Sequence, residues 1–110
     1  MFNQVTLMGR LGKDPEAKQF DDGNWATRFS LATDRRGDKT DWHQIRLRGQ
    51  AAEFAKDHLK KGDLVLVTGE LHHDQHKEKW YTTVVCWKIQ AISGGKKEER
   101  PTEGDSDLPF

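Results

Sequence analysis

From Thr40 to Gly49 the chain reads T-D-W-H-Q-I-R-L-R-G, and its alternation places Trp42, Gln44, Arg46 and Arg48 on one face of a strand. His43, Ile45 and Leu47 take the other face, so one side can be buried while the other meets solvent or a ligand. Phe2–Leu11 also alternates, with apolar residues on both faces, and predicts a strand covered on both sides. The stretch G-K-D-P-E at Gly12–Glu16 predicts a turn, and Asp21-Asp22-Gly23-Asn24 a second one. A further strand then spans Ala26–Asp34, with Phe29, Leu31 and Thr33 inward and Arg28, Ser30 and Asp34 outward.

After Gly49 the period changes. Ala51, Phe54, Ala55 and Leu59 recur at helical spacing, and Lys60-Lys61-Gly62 supplies the basic last turn and glycine stop of a helix. Asp63–Leu71 is rich in leucine and valine and predicts a central or covered strand. Leu71–Lys79 reads as a flexible, solvated hairpin connection. The last strand, Trp80–Ile92, places Tyr81, Thr83, Val85, Trp87 and Ile89 on one face and Trp80, Thr82, Val84, Cys86 and Lys88 on the other. On this pattern Trp87 is a core residue. Three strands, a helix and two strands match an all-β, five-stranded OB-fold barrel with its helix between strands three and four.

Composition bounds this picture. At 110 residues, with 34% hydrophobic and 33% charged residues, the chain suits one small domain with a modest core. No apolar run approaches the roughly 20 residues that cross a bilayer, and the start lacks the pattern of a signal peptide, so a cytoplasmic protein with no membrane partner is expected. Cys86, the single cysteine, cannot form an internal disulfide and reads as a buried structural thiol. Net charge is zero, yet residues 98–110 carry five acids against one Arg, so the body is mildly basic and the tail acidic. Residues 1–93 are therefore expected to fold, and residues 94–110 to form a disordered acidic tail.

An aromatic plane in a row with two guanidiniums suits an unpaired anionic polymer, because bases stack on the ring while phosphates meet the charges. A solvated sheet also carries such residues, so Trp42, Arg46 and Arg48 do not decide the matter alone. Arg35 and Arg36 could add a basic rim beside Trp42, and Arg10 and Lys13 extend the candidate phosphate contacts. His73 and Lys77 lie in the hairpin that precedes Trp80, and Trp80 can border a groove there. Taken singly, Trp25, Trp80 and Trp87 suit a core. The cluster His72, His73, Asp74 and His76 resembles metal ligands, but no cysteine or second acidic cluster accompanies it. His43 points to the Ile45/Leu47 face and reads as a packed or interface histidine rather than a base. No catalytic triad, phosphate-cradling glycine motif or paired-carboxylate motif is visible, so no enzyme, no cofactor and no metal are expected. In the tail, Asp105 and Asp107 precede Leu108, Pro109 and Phe110, and an acidic run ending on apolar residues suits capture in a basic pocket of another protein.

Several ordered motifs together resemble the bacterial single-stranded DNA-binding protein (SSB) family. They are V-T-L-M-G-R-L-G-K-D-P-E at 5–16, F-S-L-A-T at 29–33, D-W-H-Q-I-R-L-R-G at 41–49, L-K-K-G-D-L-V-L-V-T-G at 59–69, W-Y-T-T-V-V at 80–85 and the final D-S-D-L-P-F. The resemblance implies an OB-fold that binds single-stranded DNA without sequence preference in a bacterial, nucleoid-associated setting. It also implies a homotetramer, with a dimer as the alternative, and a tip, Asp105–Phe110, that recruits replication, recombination and repair proteins. Trp42 occupies the position of one of the family's stacking tryptophans. Arg48 stands where the family often has an aromatic residue, and no Trp or Phe occurs near Arg35–Arg36 or within His72–His76, so binding is expected to lean on charge and to fall steeply with salt. The tip also follows the body after a short linker. The competing readings are an RNA-binding or primosomal OB module, a metal-dependent hydrolase resting on the histidine cluster, and an adaptor that displays the tail.

Overall fold

The computed structural model describes residues 1–93. The expected disordered tail, 94–110, and its tip lie outside the described residues. Six strands and one helix follow in the order β1 (Val5–Leu11), β2 (Glu16–Gln19), β3 (Trp25–Asp34), β4 (Thr40–Arg48), α1 (Gln50–His58), β5 (Leu64–His76) and β6 (Lys79–Ser93). The five expected strands and the helix are all present. β2 is an addition: its four residues are exposed and form a strand only because β3 supplies a partner, pairing Glu16 with Arg28 and Gln19 with Trp25. Nothing in E-A-K-Q itself signals a strand, since its side chains bury nothing.

The sheet order is β1-β5-β6-β4-β3-β2, antiparallel except where β4 meets β6. It coils until β1 also pairs with β3, through Arg10 with Ala32 and Leu11 with Leu31. Inside the curl lie Leu11, Phe29, Leu31, Ile45, Leu47, Val65, Val67, Val84 and Cys86, the inward halves of the alternating patterns. Helix α1 covers one opening with Ala52 and Ala55, both fully buried. Two alanines let the helix backbone approach the sheet, and the Thr27 hydroxyl closes the gap by donating to the Ala52 carbonyl at 2.8 Å. The turn after α1 is held by Asp63, whose buried carboxylate accepts the Lys60 N–H at 3.0 Å. Among the described residues no helix is long and apolar enough to cross a membrane.

Three expectations are corrected. Phe2 is solvent-exposed and the first strand begins at Val5; its outer side is not covered within the protomer, because Met8 is exposed. The Leu71–Lys79 connection is not a loose loop: strand pairing runs out to His76 and Lys79, leaving only Lys77 and Glu78 as the turn, both with positive φ. Trp87 is not in the core. Between Thr68 and Gly69 the β5–β6 register slips, pairing Thr68 with Lys88 and Gly69 with Cys86, so Trp87 has no partner and the alternation of β6 shifts by one residue. Val84 and Cys86 turn inward before the bulge and Trp87 is left outside. Gly69 permits this slip, since a Cβ there would meet the Val85 carbonyl oxygen at 2.2 Å. Trp80 is also exposed, beyond the end of the core, whereas Trp25 packs partly buried against it beneath the Lys56 ammonium.

Candidate nucleic-acid interface

Antiparallel pairing converts the alternation of β3 and β4 into rows across their outer face. Ala32 stands opposite Trp42, Ser30 opposite Gln44, Arg28 opposite Arg46 and Ala26 opposite Arg48. β2 extends the last two rows, with Glu16 beside Arg28 and Lys18 beside Ala26. The result is a face with an exposed indole at one end and three guanidiniums along the rest. At about 3.4 Å per residue, Trp42 and Arg48 are ~20 Å apart along β4.

Trp42 is 58% exposed yet held in place. Its ring lies over Gly12, where a Cβ would come within 2.4 Å of Cζ3, and the Gly12 N–H donates to the Ser30 carbonyl at 3.0 Å. Glycine is needed at this point so that the ring can lie flat against the backbone. Arg28 is braced by Glu16, its Nε donating to Oε1 at 3.0 Å, and Gln44 donates to the Ser30 hydroxyl at 3.1 Å. Arg46 and Arg48 are exposed.

Three concave regions open onto this face and share Arg28. One of about 300 Å³ runs past Lys13, Ser30 and Gln44, and one of about 470 Å³ past Gln44, Arg46, Asp74, His76 and Tyr81. The third, about 390 Å³, is lined by Lys18, Phe20, Ala26, Arg28, Arg46 and Arg48. The groove thus joins Arg46, Arg48 and Lys13 of the expected site, and Trp42 stands on the same sheet face outside the three hollows. It also includes Arg28, Lys18, Phe20 and Tyr81, which were not expected to contribute. Arg28 faced outward on its own alternation, but only the register shows it opposite Arg46. Phe20, an isolated aromatic between polar neighbours, carries no periodic signal at all.

The remaining candidates are dispersed. Arg35 is tied to Asp41, donating through Nη2 to Oδ1 at 2.6 Å and through Nε to Oδ2 at 3.3 Å. That hydrogen bond holds the Asp41 carboxyl below the usual carboxylate range against an opposing desolvation, with the Arg35 charge and a smaller contribution from His43 assisting. Arg36 is exposed in the β3–β4 turn. Arg10 donates to the Gly62 carbonyl at 2.9 Å, on the β1–β5 side. Lys77 sits at the tip of the β5–β6 hairpin. Pairing places His73 opposite Thr82 and Gln75 opposite Trp80, on the hairpin face away from Asp74 and Tyr81, which line the groove. His73 bonds the Thr82 hydroxyl at 2.8 Å. His72 and His73 fall on opposite faces of the hairpin, and His72 bonds Glu70 at 2.7 Å, so the histidine cluster does not converge. Among the described residues no three potential ligands come together to hold a metal.

His43 bonds the Thr33 hydroxyl at 2.8 Å and is half-buried. Cys86 is buried, its thiol donating to the Lys88 carbonyl at 3.1 Å, and burial pushes its pKa up, away from the reactive thiolate.

Residues 2–93 match the Single-strand binding protein family. A single-stranded DNA-binding protein of Xanthomonas campestris pv. campestris is 38% identical over 105 residues, covering 84% of this chain and 61% of the relative. Single-stranded DNA-binding protein 1 of a Nostoc species is 40% identical over 79 residues, 70% of this chain and 66% of the relative. A single-stranded DNA-binding protein of Xylella fastidiosa is 31% identical over 119 residues, 90% of this chain and 73% of the relative. The chain thus spans about six tenths of the length of the Xanthomonas relative. With a coiled sheet, a capping helix and one aromatic and cationic outer face, matched over residues 2–93, the chain belongs to the Single-strand binding protein family and has its OB-fold.

Proposed function

We propose that the protein binds single-stranded DNA without sequence preference, across the outer face of β3 and β4, in replication, recombination and repair. The observation that carries this reading is the set of rows that aligns Trp42 with Arg28, Arg46 and Arg48 on one exposed face. A base stacks on the Trp42 ring and phosphates meet the guanidiniums. Every base has a face to stack, so little sequence preference results. Family membership and the names of the relatives support the same ligand. Lys13 joins the groove, and Arg10, Arg36, Lys77, His73 and Trp80 serve a strand that continues past it. Binding, rather than catalysis, is the activity, and a DNA ligand of this kind places the protein in the bacterial cytoplasm with the nucleoid.

The assembly proposed is a homotetramer. Its support is the outer side of β1, β5 and β6, where Met8 and Trp87 are exposed and Leu64, Leu66 and Val85 are only half-buried, an apolar surface suited to a second copy. His43 is proposed to take part in contacts between copies. Residues 94–110 are proposed as a disordered tail whose Asp105, Asp107, Leu108, Pro109 and Phe110 capture replication and repair proteins.

Titration of the intact protein with dT oligomers, followed by tryptophan fluorescence at two salt concentrations, tests the DNA reading. Quenching and an affinity that falls steeply with salt are expected, with a log–log slope of about −0.7 for each phosphate neutralised. No quenching, or a flat salt dependence, would count against it. Removing Leu108–Phe110 should abolish partner capture and leave DNA binding equal or slightly tighter, since an acidic tail competes for the groove; weaker binding would contradict this division.

A further inference from the structure

Phe20 lies at the far end of the cationic face from Trp42. It follows β2 directly, and its backbone is fixed on both sides: its N–H donates to the Asn24 carbonyl at 2.8 Å and its carbonyl accepts the Gly23 N–H at 2.9 Å. Gln19 braces the same turn by donating to the Gly23 carbonyl at 3.2 Å. The ring is 37% exposed and forms one wall of the 390 Å³ hollow. Two cations lie over it, the Arg48 guanidinium 5.5 Å and the Lys18 ammonium 5.8 Å from its centre. Lys18, Ala26 and Arg48 form a single row across β2, β3 and β4, so an alanine floor separates the two cations.

We infer that Phe20 is a second base-stacking platform, with Lys18 and Arg48 its phosphate clamps. The inference rests on the proposed binding of single-stranded DNA. An aromatic ring faced by cations attracts them through its negative π surface, and an unpaired nucleotide replaces that contact with a better one for both partners. The base stacks on the ring, while the freed cations take the flanking phosphates. The small Ala26 leaves room for the base between them. The strand is then gripped at two ends: Trp42 and Phe20 hold bases, and Arg28 and Arg46 hold the phosphates between.

The test compares the intact protein with Phe20→Ala and Phe20→Leu, using a dT oligomer long enough to span the face and an oligomer of the same length whose residues lack bases. Both variants should bind the dT oligomer about 5- to 150-fold more weakly, the range expected for one lost base stack. Both should bind the abasic oligomer as the intact protein does. Phe20→Trp should retain affinity and, in a Trp42→Phe background, restore quenching by dT. Phe20→Leu binding dT like the intact protein would overturn the inference, since leucine keeps the apolar bulk and removes only the π face. An equal loss on the abasic oligomer would overturn it too. Failure of the intact protein to bind either oligomer would instead sink the DNA reading itself, so the two failures are distinguishable.

Discussion

Trp42 on β4 and Trp87 on β6 sit on adjacent strands and are nearly equally exposed, 58% and 54%. Their surroundings differ. Trp42 is paired with Ala32 of β3, seated over Gly12, and shares its face with Arg28, Arg46 and Arg48. Trp87 is the unpaired residue of a bulge, on the side of the sheet that also carries Met8, Leu66 and Val85. An exposed indole among cations suits a stacked, anionic strand, whereas one beside aliphatic neighbours suits another copy of the same surface. Exposure alone distinguishes nothing; the chemistry of the same sheet face does.

The largest expected effect follows from charging the apolar side. Trp87→Glu should split the proposed homotetramer, leaving a 12.7 kDa species in sedimentation, while each protomer still binds short dT oligomers. An unchanged mass would remove Trp87 from the contact between copies. Next, Trp42→Ala should weaken dT binding by about 5- to 150-fold and leave the assembly intact, the converse result. If both variants lost assembly and binding alike, the two surfaces would not be separate.

A subtler change acts on Trp42 without removing it. Gly12→Val forces the ring off its seat, and an off-rotamer displacement worth about 0.5–1.5 kcal/mol predicts roughly 2- to 12-fold weaker binding in the same titration. The smallest effect concerns Arg35. Asp41→Asn releases it, and should tighten binding slightly and steepen the salt slope by about 0.7 if Arg35 then meets a phosphate. pH makes the same point. Because the Asp41 carboxyl is held low, its ion pair stabilises the fold above the unfolded carboxylate pKa of about 3.9, and that contribution is lost as pH falls through the lower folded value. Acid titration of stability should therefore lose this component in Asp41→Asn.

Much of the fold was legible because period-2 alternation is a local property. In β4, Ile45 and Leu47 are buried and Trp42, Gln44, Arg46 and Arg48 exposed, as their spacing predicted. α1 was legible from its 3.6-residue stripe, although the fully buried Ala52 lay outside that stripe. β2 was not, because its strand character comes from β3. The site was half legible: Trp42, Arg46 and Arg48 share a face by covalent geometry, but Arg28, Lys18 and Phe20 reach it only through register. Trp80 and His73, close in sequence to Tyr81 and Asp74, fall on the other face of their hairpin.

Residue order by itself determined the order of the helix and of the strands other than β2, the inward halves of β3 and β4, and the cationic run behind Trp42. Each depends on neighbours one to four residues away, where backbone geometry leaves few choices. Tertiary structure alone decided that Phe20 and Lys18 join Arg48, and that Trp87 stays outside. The first needs strands paired across the β1–β3 connection; the second needs the pairing of β6 with β4 and β5, which turns Val84 and Cys86 inward and so leaves Trp87 out, while the slip beyond it returns Ile89 to the core. A register is a relation between distant segments, set by how their side chains pack together, and no local pattern within either segment contains it.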